Sequence, residues 1–95
     1  MNFKVKIDNY VIKKINAIDY YCMSNFGNYK FGIKLTQEIK FAKELIENNP
    51  YLGKKIKENY YKVVLKNLKY NLYYEVIQNS NTIIIFDLKS FKENQ

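Results

Sequence analysis

The stretch Tyr60–Leu88, YYKVVLKNLKYNLYYEVIQNSNTIIIFDL, decides the fold. It is dense in Val, Ile, Leu, Tyr and Phe, side chains that suit a pleated, half-buried surface. It is interrupted at Asn67-Leu68 and Asn79-Ser80, where Asn tolerates the positive φ that hairpin turns need. The pattern predicts three antiparallel strands. A two-residue loop at Asn67-Leu68 sets Lys66 against Lys69, Leu65 against Tyr70, Val63 against Leu72 and Lys62 against Tyr73. Alternation across a strand then puts Tyr61, Val63, Leu65, Tyr70, Leu72, Tyr74 and Val76 on one face. Lys62, Val64, Lys66, Lys69, Asn71, Tyr73 and Glu75 fall on the other. The first face is apolar and calls for a helical layer. The second is basic, with tyrosine among the lysines.

Upstream, Asn2–Ile7 alternates and reads as a short strand, with Asp8 or Asn9 as the N-cap of a helix. Val11, Ile15, Ile18 and Cys22 form that helix's apolar stripe, opposite Lys13, Lys14, Asn16 and Asp19, and Gly27 ends it. A second helix is predicted from Tyr29 to Glu47 on the stripe Phe31, Leu35, Ile39, Ala42, Leu45 and Ile46. Gly32 is its weak position, and Lys40–Glu44 and Lys43–Glu47 are helix-spaced charge pairs. Asn48-Asn49-Pro50 stops it, because the residue before proline avoids the helical region. Tyr51–Asn59 reads as a basic connection turning at Gly53, and Lys89–Gln95 as a short loose tail.

The predicted order is strand, two-helix antiparallel hairpin, then a three-stranded meander. This is an α+β domain with the helices on one face of a four-stranded sheet. The first strand is expected beside the last. That would make Ile83–Leu88 an interior strand buried on both faces, which would account for its loss of alternation. Asp87 is expected at the strand's end, Tyr61, Tyr70 and Tyr74 in the core with their hydroxyls reaching the surface, and Cys22 as a small buried apolar residue.

Ninety-five residues suffice for one small domain, 1–95. The chain has no histidine and one cysteine, which removes the commonest general base, an internal disulfide and ordinary zinc sites. No cofactor is expected. The N-terminus lacks the features of a signal peptide, and the longest clean apolar run, Ile83–Phe86, is far shorter than a membrane span. A cytoplasmic, non-membrane protein is the expectation.

The net charge is +7, and all 16 basic residues are lysine. With the abundant Asn, Ile and Tyr, this is also the profile of AT-rich coding. Position is therefore more telling than the total: Lys54–Lys69 holds six lysines against one acid, Glu58. Such a patch attracts phosphate backbones or an acidic protein, and a solvated lysine surface is the plainer alternative.

Asn49-Pro50 closing the second helix is followed by a basic linker and then Tyr61-Lys62-x-x-x-Lys66-x-x-Lys69-Tyr70-x-x-x-Tyr74. An apolar strand and a short basic tail complete the order. In this the chain resembles the RelE/ParE toxins of type II toxin–antitoxin pairs, over nearly its whole length. The resemblance implies a small cytoplasmic, growth-inhibiting toxin of the kind that serves plasmid stabilization, wrapped and neutralised by its antitoxin. RelE-like members cut messenger RNA on the ribosome, and ParE-like members poison DNA gyrase by binding it. The chain departs from the nuclease pattern. Lys62 stands where a strand arginine is usual, Ser90 in a histidine slot and Glu93 in an arginine slot. Lysine lacks the planar fork that grips phosphate in two places. These departures place the chain nearer the ParE-like branch.

Three functions are weighed: a ParE-like binder of a large target, a ribosome-dependent endoribonuclease, and a family member that has lost toxicity. In the nuclease reading Lys62, Lys66 and Lys69 hold and neutralise phosphate, and Tyr73 stacks on a base. Target or nucleic-acid contact is assigned to Lys54, Lys55, Lys57, Lys62, Lys66, Lys69, Lys89 and Lys92. An acidic antitoxin is the expected partner, docking across the helices or the open sheet face, and self-pairing across the helices would give a homodimer.

Overall fold

A computed structural model describes residues 3–94. The elements are β1 (Lys4–Ile7), α1 (Asn9–Phe26), α2 (Lys30–Asn48), β2 (Lys54–Lys57), β3 (Tyr60–Leu65), β4 (Tyr70–Ile77) and β5 (Thr82–Ser90), with short 3-10 turns at Gln78–Ser80 and Phe91–Asn94. They form a two-helix layer on one face of a five-stranded sheet of order β1-β5-β4-β3-β2. The predicted α+β architecture is therefore present with one strand more. The core lies between the layers. Val11, Leu35, Ile39, Ala42 and Ile46 descend from the helices onto Tyr61, Leu65, Leu72, Tyr74, Val76, Ile83, Ile85 and Leu88.

Local chemistry explains most boundaries. Asp8 caps α1, its Oδ1 accepting from the Tyr10 N–H at 2.9 Å. Gly27, at φ +60°, closes α1 in the left-handed conformation, which lets its N–H reach the Met23 carbonyl. The first strand lies beside the last, as the pattern required, with Val5 opposite Ile83 and Ile7 opposite Ile85 in parallel register. Of its predicted span, Asn2 lies outside the described residues.

The β3–β4 register is the predicted one, with Leu65 opposite Tyr70, Val63 opposite Leu72 and Lys62 opposite Tyr73. The corners differ. Each loop spans four residues between the paired ends, and the left-handed residue is the last one, Lys69 (φ +58°) or Asn81 (φ +50°), rather than Asn67 or Asn79. A turn closed by a left-handed residue keeps the same pairing with two more loop positions. Lys66 and Lys69 thus belong to the loop and not to the ladder.

The segment Tyr51–Asn59 is not only a connection: Lys54–Lys57 pairs antiparallel with β3 as an edge strand whose four residues are all exposed. The tail is not loose, since Lys89 and Ser90 continue β5 and the Phe91 N–H donates to the Lys69 carbonyl at 2.9 Å. Gln95 lies outside the described residues. Strand β5 is fully buried on one face only, where Ile83, Ile85 and Leu88 have no exposed surface, while Ile84 and Phe86 are half-buried on the other. Its broken alternation comes from a bulge. Tyr73 pairs with Asp87 and Tyr74 with Ile85, which leaves Phe86 as the extra residue. Without that insertion Asp87 would point into the core and Leu88 out of it.

On the helices, Leu45 is 40% exposed and Cys22 half-buried, while Gly32 is buried because α1 crosses there. A Cβ on Gly32 would lie 2.0 Å from Asp19 Oδ1. Neither Lys40–Glu44 nor Lys43–Glu47 closes to an ion pair. Those formed among the described residues are Lys14–Asp87, Lys14–Glu93 and Lys89–Asp87. Among the described residues no helix is long and apolar enough to cross a membrane.

Candidate functional site

The sheet face away from the helices carries the candidate site. Cross-strand partners share a face, so the ladder places Lys54 beside Lys62 and Lys62 beside Tyr73. Lys4 and Lys6 of β1 lie on the same face, since their neighbours Val5 and Ile7 turn toward the helices. Like charges set directly opposite, as Lys54 and Lys62 are, destabilise a sheet. An anion laid across them would relieve that repulsion.

Through the lysines runs a row of rings. Lys57 Nζ lies 4.8 Å from the centroid of Tyr60, and Tyr60 meets Phe86 edge-on at 5.6 Å. Phe86 lies 6.3 Å from Tyr73, whose ring has Lys89 Nζ at 5.7 Å. The result is an alternation of cation, three rings and cation along an open, half-buried surface. Each exposed cation–ring contact is worth about 0.5–1 kcal/mol. An edge strand rich in lysine also protects a sheet from edge-to-edge pairing, which accounts for lysines on β2 but not for the aromatic row.

Both end lysines reach this face through bulges. In β2 the register shifts between Lys55 and Lys57, so that Lys57 pairs with Tyr60 on the open face. In β5 the Phe86 insertion brings Lys89 out over Tyr73. Strict alternation would turn both inward. Bulges at sheet rims commonly re-aim side chains in this way.

Of the residues assigned from sequence, Lys54, Lys57, Lys62, Lys89 and Tyr73 come together. Lys55 pairs with Tyr61 and so faces the helix side of the edge strand. Lys66 and Lys69 sit in the β3–β4 loop at the end of the sheet, and Lys92 lies exposed in the C-terminal 3-10 turn. Tyr60, Phe86, Lys4 and Lys6 were not singled out by sequence. The alternation within Lys4–Ile7 held a signal for the last two, but nothing local marked the insertion that exposes Phe86. Asn71, assigned to the open basic face, is buried.

The C-terminal corner is held by charge. Asp87 is not at the strand's end but inside β5, where Lys14 Nζ at 3.6 Å and Lys89 Nζ at 3.9 Å offset its half-buried charge. Its Oδ1 also accepts from the Leu88 N–H at 2.7 Å. Glu93 closes the turn, with Oε1 accepting from the Ser90 N–H at 3.1 Å and Oε2 from Lys14 Nζ at 3.0 Å. The Ser90 N–H bond, with help from Lys14, holds the Glu93 carboxyl below its ordinary value. Burial pulls the Lys14 ammonium down, but its bond to Glu93 and the charge of Asp87 outweigh this and leave it raised.

Tyr74 lies deeper than expected, with no exposed surface, and its hydroxyl does not reach water. It donates to the Pro50 carbonyl at 2.8 Å and accepts from the Gly53 N–H at 3.0 Å. Burial raises its pKa, partly opposed by the Gly53 N–H. Among the described residues no group of three or more His, Cys, Asp or Glu side chains could hold a metal ion.

The open face thus carries Lys57, Tyr60, Phe86, Tyr73 and Lys89 in one continuous row beside Lys54 and Lys62. Solved structures with this fold include the isolated RelE toxin of E. coli, with a TM-score of 0.70 and 16% identity over 97% of this chain and 94% of that one. The intact E. coli RelBE toxin–antitoxin complex gives 0.70 and 16%, over 93% of this chain and 95% of that one. The archaeal RelE–RelB complex of Pyrococcus horikoshii gives 0.56 and 19%, over 95% and 96%. At these identities the likeness concerns the fold. No curated protein sequence matches the chain. Residues 5–94 match the model of the ParE toxin of the type II toxin–antitoxin system parDE, and the chain belongs to that family of toxins.

Proposed function

We propose that this toxin, a single domain over 1–95, acts by binding rather than by cutting. It holds a large target, DNA gyrase in the ParE-like reading, against the open face formed by Lys54, Lys57, Lys62, Lys89, Tyr60, Tyr73 and Phe86. The observation that carries the reading is the C-terminal corner. The position aligned with an arginine in the nuclease pattern is Glu93, and its carboxylate is engaged in holding Ser90 and Lys14. The chain also has no histidine to take a proton from a ribose hydroxyl. An acidic antitoxin that folds across the open face would neutralise the same lysines and so mask the target surface.

The test is induced expression in a bacterium, with labelled thymidine and labelled amino acid followed over the first minutes. DNA synthesis should stop first. If protein synthesis stops first, the face works on messenger RNA and the binding reading is wrong. The double variant Lys57→Ala with Lys62→Ala should grow normally, and Lys66→Ala with Lys69→Ala should still arrest growth, because the latter pair lies off the face.

A further inference from the structure

We infer that Tyr74 is a positioning residue for the binding face: its buried hydroxyl fixes the Pro50–Gly53 corner and thereby the placement of the β2 lysines. The inference rests on the proposed role of the open face. Strand β2 has little else to hold it. All four of its residues are exposed, and it pairs on one side only, with β3, through a register that shifts midway. Its entry point is fixed from inside the protein. The Tyr74 hydroxyl bridges the Pro50 carbonyl and the Gly53 N–H, so a core side chain of β4 grips the backbone just before Lys54.

The corner is also tight. A Cβ on Gly53 would stand 2.5 Å from the Lys62 carbonyl oxygen and 2.8 Å from the Tyr74 hydroxyl oxygen. Neither neighbour is the end of a mobile side chain, since one is β3 backbone and the other a fully buried phenol. Glycine is required here by close approach. The Tyr74 ring is itself fixed by stacking on Tyr61 at 5.6 Å, and Tyr61 meets Tyr51 edge-on at 5.7 Å. One stack of rings therefore ties the corner to the core, and Lys54 and Lys57 inherit their spacing from Lys62 through it.

Tyr74→Phe keeps the ring and removes only the hydroxyl. Two readouts separate positioning from general stability. The first is amide hydrogen exchange resolved by residue. The β2 amides paired to β3 should exchange about tenfold faster, the scale of one net hydrogen bond, while β4 and β5 keep their protection. The second is the salt dependence of binding to a fluorescein-labelled oligo(U) RNA, used as a polyanion probe of the lysine array. Each lost lysine–phosphate contact makes the log–log slope shallower by about 0.7. Lys62→Ala should lose about one such step, and Tyr74→Phe one to two, though it removes no charge.

If Tyr74→Phe fails to fold, Gly53→Ala tests the same corner from outside the core and should give both changes. Unchanged β2 exchange in the variants overturns the inference. Faster β2 exchange with an unchanged slope, while Lys62→Ala does flatten it, also overturns it but leaves the open-face reading standing. A wild-type slope of zero, or one that Lys62→Ala does not alter, removes the open-face reading and the inference together.

Discussion

At its base the helical hairpin buries Val11, Leu35, Ile39, Ala42 and Ile46 against the sheet, while near its tip Tyr20, Phe26 and Tyr29 are 74%, 70% and 57% exposed. The two ends are alike in hydrophobic content and differ in what lies beneath them. From Tyr20 to Lys30 only Cys22 is even half-buried. Hydrophobic stabilisation scales with the area removed from water, not with the number of apolar residues. The base therefore supplies the stability, and the tip contributes helix length without core.

The comparison makes graded predictions. Leu35→Ala should cost about 2–5 kcal/mol, the range for deleting a fully buried leucine, whereas Tyr20→Ala, near the tip, should stay within about 0.5 kcal/mol. Urea midpoints of the two variants measure this directly. Equal losses would mean that the tip is covered in solution.

Next in size is the crossing of the two helices. In an exposed helix Gly→Ala gains about 1 kcal/mol, but at Gly32 the new methyl would collide with Asp19, so Gly32→Ala should destabilise by about 1–3 kcal/mol. Asp19→Ala removes the two nearest atoms and leaves only the Cβ at 3.1 Å. Thermal melts of the double variant should recover most of the loss, and failure to recover would place the strain elsewhere than at the Asp19 carboxyl.

The smallest effect belongs to the C-terminal corner. The Glu93 carboxyl is held low, so its contribution is present above the ordinary carboxylate value and is lost as pH falls through the lowered one. Lys14 is held high, so its share is present below the ordinary lysine value and lost as pH rises through the raised one. Water screens this half-exposed pair. Between pH 7 and pH 3, Glu93→Gln should flatten the stability profile slightly by chemical denaturation, and an unchanged profile would assign the acid sensitivity to other carboxylates.

The two sheet faces show how far the sequence could be read. The register of β3 on β4 was legible because side chains alternate with period two, and a shift by one residue would exchange the core face for the open one. So was β1 beside β5, since the apolar residues of both strands need the same helix-covered face. Lys62 and Tyr73 were legible for the same reason. Lys57 and Phe86 were not, because each depends on an inserted residue in one strand, and an insertion is defined only by the partner strand it fails to match.

β2 itself escaped because Lys54–Lys57 has one apolar residue in four and no pattern of its own. It is a strand because β3 offers it a ladder and Tyr74 holds its entrance. The sequence by itself determined the two helices, the meander, the helix-covered face and the basic character of the other, since periodicity and turn chemistry act over a few residues. Only the tertiary structure decided which lysines share a surface, which rings stand between them, that Tyr74 turns inward to a backbone corner, and where the sheet stops covering the hairpin. Those outcomes depend on contacts between residues far apart in the chain, which local pattern does not encode.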